Sequence, residues 1–227
     1  MERIKEILNT WRKQRVEKIE MSSVFSRNPT AHKWKATYRC LVIRELVFWR
    51  IIDLLDQMVT LANNNGVLGA RILLRSAFET LGILIFLNQK INALLDGSLA
   101  FDEFSSTTVR LILGTKTTGS KIQSINIVTI LQKNDQQYPG IFGVYKTLSE
   151  SSHPNFEGMY LGYSEIDEKN YITYFKNRWD EMYSNELEDL ALLCINTFEI
   201  EYNDIWPELF EKLENWLEDN DDQLSTD

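Results

Sequence analysis

The stretch VLGARILLRSAFETLGILIFLNQ, residues 67–89, decides the fold. It is apolar nearly all round, contains no proline and is far longer than one strand, so it predicts a helix buried among other helices. Three charges, Arg71, Arg75 and Glu79, recur four residues apart and so line one face of that helix. A membrane span rarely carries such a stripe, which argues for a protein interior with no membrane contact.

The flanks carry the same periodicity. NNNG at 63–66 ends a long preceding helix, Tyr38 to Ala62, whose Leu41, Phe48, Ile52, Leu55, Val59 and Ala62 follow the three-and-four spacing of a core face. Further upstream, residues 1–22 read as one helix with Ile4, Ile7, Leu8, Trp11, Arg15 and Ile19 on a single side, and SRNPTAHKWK at 26–35 reads as a polar break. Downstream, Asp96 to Leu113 predicts a short helix and GTKTTGS at 114–120 a loop. Ile122 to Leu131 suits a strand or a buried helix, and its isolation from other strand-like runs favours the helix. Tyr138 to Ser151 predicts a helix entered through Pro139 and stopped by Pro154. Residues 154–177 read as loop. Arg178 to Tyr202 predicts a long helix carrying Leu187, Leu190, Ala191, Cys194 and Phe198 on one face. Asp204 then caps a last helix with Pro207 in its first turn.

The expectation is an all-α chain: a single bundle of about seven helices over residues 1–219. Within it, residues 1–37 form a basic N-terminal helix and loop and residues 38–219 the bundle. Residues 220–227 are expected to form a disordered acidic tail.

Composition bounds the chemistry. The net charge of −9 is unevenly spread, roughly +7 over residues 1–50 and roughly −15 over residues 165–227. The acidic end argues against nucleic-acid binding by the whole surface. The basic end can touch phosphate, or pair with the acidic end of the same or a neighbouring chain. Cys40 and Cys194 lie alone in apolar surroundings without Cys/His spacing, which points to reduced core thiols in a cytoplasmic protein and to no bound metal. No segment reads as a secretory signal, and no motif calls for a cofactor. GTKTTGSK at 114–121 fails as a phosphate-binding loop, because Ser120 stands where that motif needs lysine.

Two features remain as candidate sites. The first is the Arg71, Arg75, Glu79 stripe. It is either an ion-pair ladder to Glu45, Asp53 and Asp56 on the preceding helix, or an inter-helix pocket in which Arg75 presents its planar fork to an anion. The second is YKTLSESSHPNFEG, residues 145–158, which gathers Ser, Glu, His and Asn at a helix end. Its residues either terminate the helix or form a site, with His153 as the imidazole acid/base. Candidate binding residues are Arg71, Arg75, Glu79, Ser149, Glu150 and Asn155.

Together, LLRSAFETLGILIFL (73–87) and YKTLSESSHPNFEGMYLGY (145–163) resemble uncharacterised bacterial all-helical proteins that pair an R-S-x-x-E helix with a Y-x-x-L-S-E-x-x-H-P-N segment. The match covers about a third of the chain. More distantly, the chain is similar to HEPN domains, helical bundles of bacterial toxin and anti-phage systems, many of them dimeric, metal-independent ribonucleases. Their signature is an Arg followed after four to six residues by His. That resemblance implies His153 as the catalytic His, with Lys146 in the place of the arginine and Arg75 as a phosphate fork from the other helix. Two functions follow. One is a self-associating binding or regulatory module of a defence or toxin–antitoxin-type system, its partner a second copy or another protein. The alternative is a ribonuclease with RNA as substrate, catalysed by His153, Lys146 and Arg75.

Overall fold

The structure, a computed structural model, describes residues 1–224 and is all-α apart from one small hairpin. In chain order the helices are α1 (Glu2–Gln14), α2 (Met21–Arg27), α3 (Pro29–His32), α4 (Lys35–Ala62), α5 (Val67–Leu95), α6 (Phe101–Leu113), α7 (Ile127–Asn134), α8 (Ile141–Glu150), α9 (Trp179–Glu199) and α10 (Trp206–Asn220). Between α8 and α9 come a π-helical turn, Phe156–Leu161, and the antiparallel strands β1 (Ser164–Asp167) and β2 (Ile172–Phe175). No helix among the described residues is long and apolar enough to cross a membrane.

The contacts group into two compact units. The first comprises residues 1–14, 50–80 and 135–196; the second comprises 15–49, 81–134 and the chain from Thr197 onward. α4, α5 and α9 each supply residues to both. In the first unit the core gathers Ile4, Leu8 and Trp11 of α1, Leu55, Met58 and Val59 of α4, Leu74 and Phe78 of α5, and Leu187, Ala191 and Cys194 of α9. In the second it gathers Ile43, Val47 and Phe48 of α4, Leu84, Ile85 and Leu87 of α5, Phe104 of α6 and Phe198, Leu213 and Leu217 near the C-terminus. Each fully buried Leu, Ile or Phe contributes about 1.5–3 kcal/mol of hydrophobic stabilisation.

Helix ends follow local chemistry. Asn65 takes the left-handed conformation (φ 57°) after α4, and Gly66 donates its N–H to the Leu61 carbonyl at 2.8 Å. α5 runs past Gln89 to Leu95, since Ile91 and Leu94 keep its buried face. Gly97 (φ 78°) stops it, with Leu99 N–H closing on the Ala93 carbonyl at 2.9 Å. α8 starts at Ile141 because Asp135 accepts the N–H groups of Gly140 and Phe142, each at 3.0 Å.

Several expectations need correction. The helix read over residues 1–22 breaks at Gln14. Residues 15–20 form a non-helical strap, on which Trp49 donates its indole N–H to the Val16 carbonyl at 3.0 Å. The polar break at 26–35 holds buried side chains. Asn28 caps the single turn α3, and Ala31, His32 and Trp34 are buried. Of Ile122 to Leu131, only residues from Ile127 are helical. Residues 154–177 contain the π-helical turn and the hairpin. Asp204 caps nothing, because a π-helical stretch, Ile200–Ile205, carries α9 straight into α10. The tail expected over 220–227 begins as the end of α10 and a 3₁₀ turn, anchored where Asp221 accepts from Lys33 Nζ (2.5 Å) and Trp34 Nε1 (2.9 Å). Its last three residues lie outside the described ones.

Candidate functional site

The stripe on α5 meets the end of α8, all within the first unit. Arg71 is 1% exposed and fully engaged. Its Nε donates to Ser151 Oγ at 2.7 Å, its Nη2 to the Thr147 carbonyl at 3.4 Å, and its Nη1 pairs with Glu186 of α9. Its guanidinium also lies over the Tyr183 ring, 4.1 Å from the centroid. Burial pushes the Tyr183 phenol up, so that ring stays neutral under the cation. One turn along, Arg75 donates to Ser149 Oγ (2.8 Å) and Tyr145 Oη (2.9 Å) and pairs with Glu79 at 3.0 Å. Each arginine thus has a carboxylate, a serine and an aromatic ring. The arrangement ties both arginines to the α8 terminus, sealing Arg71 and leaving Arg75 partly exposed.

The expected ladder to α4 is absent. Glu45 accepts from Arg44 and Tyr202, Asp56 pairs with Arg12, and Asp53 is exposed. The stripe's partners are α8 and α9, which spacing alone does not identify.

The remaining candidates divide. Glu150 accepts from Asn155 Nδ2 at 2.5 Å, while Asn155 Oδ1 accepts from Gly158 N–H at 2.9 Å and caps the π-helical turn. His153 is exposed, and no hydrogen bond or ion pair engages its imidazole among the described residues. Lys146 is exposed, with its ammonium 5.1 Å from the Phe142 ring centroid. So Arg71, Arg75, Glu79, Ser149 and Ser151 form one network, Glu150 and Asn155 a second small cluster, and His153 and Lys146 stand apart from both. Among the described residues no group of three or more His, Cys, Asp or Glu is placed to hold a metal ion.

Asn155 leads into a feature missed in the sequence. With Phe156, Met159, Tyr160, Tyr163, Ser164, Thr173 and Phe175 it lines an open apolar groove of about 710 Å³. The register pairs Ser164 with Phe175 and Ile166 with Thr173, so strand alternation puts Ser164, Thr173 and Phe175 on the one face that fronts the groove. Phe156 and Tyr160 stack opposite, with centroids 5.3 Å apart. The hairpin is held to the body by Gly162. A Cβ there would come within 2.6 Å of the Trp179 indole, so only glycine lets the chain pass that buried ring. The turn is built on Asp167, which accepts the N–H groups of Lys169 and Asn170 at 3.0 Å, and on Tyr171, which adopts a left-handed φ of 54° while 94% exposed. The signal was present in YSEIDEKNYITYF, 163–175, where β-formers flank an Asx turn, but the run is too short for periodicity to separate it from loop. Comparison with protein-family models, with curated proteins and with solved structures gives no match.

Proposed function

We propose that this chain is a self-associating helical binding module, and that its pairing surface is the aromatic groove and hairpin of residues 155–175. The supporting observation is the concentration of exposed apolar side chains there. Phe156 (62% exposed), Phe175 (85%) and Tyr171 (94%) head a set that also includes Met159, Tyr160, Tyr163, Ile166, Ile172 and Tyr174. Exposed apolar side chains concentrated in this way on a helical scaffold form a recognition surface or a liability, and aromatic residues are the side chains that dominate binding energy.

A second copy is the favoured occupant on charge grounds. The chain carries −9 overall, which opposes pairing of two copies in general. The hairpin region mixes both signs: over residues 155–178, Glu157, Glu165, Asp167 and Glu168 stand with Lys169, Lys176 and Arg178, four acidic groups to three basic ones. Two such surfaces related by a two-fold axis can set the basic groups of one against the acidic groups of the other, with far less repulsion than the whole chain's charge would give. The arginine network serves to hold the α8 end, and Asn155, bonded to Glu150 and Gly158, caps the π-helical turn that forms the groove wall. The pairing of Arg75 with Ser149, Tyr145 and Glu79 weighs toward binding over an RNA cleavage that would use Arg75 as its phosphate fork. The resemblance to bacterial helical proteins extends this proposal to a regulatory role in a defence or toxin–antitoxin-type system.

Sedimentation equilibrium tests the reading. The wild type is expected to dimerise, and the Phe156→Ser/Phe175→Ser double variant to remain monomeric with unchanged helical circular dichroism. Each truncated anchor is expected to cost about 2 kcal/mol of association. A wild type that stays monomeric at the highest concentration reached, or a double variant that dimerises equally well, overturns it. Expression toxicity with RNA profiling of wild type against His153→Ala tests the ribonuclease alternative, which RNA loss in the wild type alone would restore.

A further inference from the structure

The second unit contains a cavity of about 500 Å³, within the range that small ligands occupy. Its walls come from the strap at 15–20, from α2, from His32 on α3, from the first half of α4 and from α10. The hollow replaces packing that α2 would otherwise make. α2 has no buried residue, and its inward Ser23, Val24 and Arg27 front the cavity. A seven-residue helix without a packed face has little to hold it, so an occupant would complete its inner contact.

The lining combines an apolar floor with compensated charges. Val16, Ile19, Val24, Leu41 and Phe210 supply the floor. Around them stand three ion pairs: Lys18 with Glu20 at 2.5 Å, Arg44 with Glu45 at 2.5 Å, and Arg27 with Glu214. His32, whose side chain is 3% exposed, shares Glu214 through Nε2 at 2.6 Å. Two polar atoms of these lining residues, His32 Nδ1 and Arg44 Nε, are buried without a hydrogen-bond partner. Native interiors rarely leave such atoms unpaired.

From this lining we infer that the cavity binds a small zwitterion with an apolar body, the chemistry of a free apolar amino acid or dipeptide. A ligand of one net charge that reached the inner Arg44–Glu45 pair, whose side chains are 18% and 11% exposed, would have to open it and leave a largely buried charge uncompensated, which is costly. A molecule carrying both an ammonium and a carboxylate exchanges partners instead. Its carboxylate takes Lys18 and Arg44, its ammonium takes Glu20 and Glu45, and Arg27 stays with the buried Glu214, so every charge stays matched. The apolar side chain then fills the floor beneath α2. This site is independent of the pairing surface in the first unit.

Calorimetric titration with L-leucine, L-phenylalanine and the dipeptide Leu-Phe tests the inference, with N-acetyl-L-phenylalanine and L-phenylalanine amide as single-charge controls. At least one zwitterion is expected to bind and to raise Tm, with both controls at least tenfold weaker. Ser23→Phe, which fills the cavity from an exposed position, is expected to abolish binding while leaving the helical signal and the self-association unchanged. Glu20→Gln is expected to weaken it. The inference is overturned if no zwitterion binds, if the controls bind as tightly, or if binding survives in Ser23→Phe.

Discussion

Arg71 and Arg75 occupy equivalent positions one helical turn apart, yet their environments give them different weights. Arg71 is sealed, with its fork divided between Ser151, the Thr147 carbonyl and Glu186. Lysine cannot reproduce that geometry. Arg71→Lys and Arg71→Ala are therefore both expected to destabilise the fold by about 3 kcal/mol, read from urea unfolding. Arg75 is partly exposed, so Arg75→Ala should cost only about 1 kcal/mol. Equal losses at the two sites would contradict this assignment. A pH dependence follows at Glu214. Burial pushes its carboxyl up, but hydrogen bonds from His32 and Arg27, with the Arg27 charge, outweigh that and hold it below the usual glutamate value. Because the folded value is the lower one, the stability Glu214 supplies is complete above the ordinary value of about 4.3 and is lost as pH falls through the folded value. The wild type should accordingly lose more unfolding free energy between about pH 6 and pH 3 than Glu214→Gln does.

At the scale of elements, the hairpin offers the clearest experiment. Tyr171 bears a left-handed backbone, an arrangement that costs an ordinary residue roughly 1–2 kcal/mol. Its ring, 94% exposed, returns nothing to the monomer. Tyr171→Gly is expected to slow amide exchange in β1 and β2 while weakening self-association, so stability and binding move in opposite directions. If both fall together, Tyr171 is a folding residue. Gly162→Ala is the complementary case. Its Cβ collides with the Trp179 ring, and a loss of about 1–3 kcal/mol is expected, with a change in tryptophan fluorescence. These elements also mark where sequence reading stops. α4, α5 and α9 were legible because each repeats its apolar spacing over many turns, and no strand tolerates that pattern. The break at Gln14 was not, since no Gly or Pro marks it and the Val16 contact to Trp49 is long-range. The α9–α10 junction misled for the opposite reason: Asp204 and Pro207 look like a helix start, and a π-helical stretch absorbs them without a break. For the site, spacing placed Arg71, Arg75 and Glu79 on one face, and polar density singled out the α8 end that the two arginines meet. It could not show that Ser151 and Ser149 accept from the two arginine Nε groups, nor that His153 is exposed and bonded to neither arginine.

Across the whole molecule, charge and thiols carry the remaining consequences. Self-association of a chain of net −9 should strengthen as salt screens the repulsion between copies, which sedimentation in rising sodium chloride reads directly. The two cysteines belong to different units, Cys194 to the first and Cys40 to the second. Both are fully buried, and burial pushes each thiol far above its ordinary value, so neither should react with a disulfide reagent while the chain is folded. Each sulfur is therefore a native clock for the opening of its own unit. Comparing Cys40→Ala with Cys194→Ala under gentle labelling times the two openings separately. α4, α5 and α9 carry their hydrogen-bond ladders unbroken through the division, so the two clocks are expected to run at one rate. A chain in which they ran at different rates would be two foldons sharing three helices.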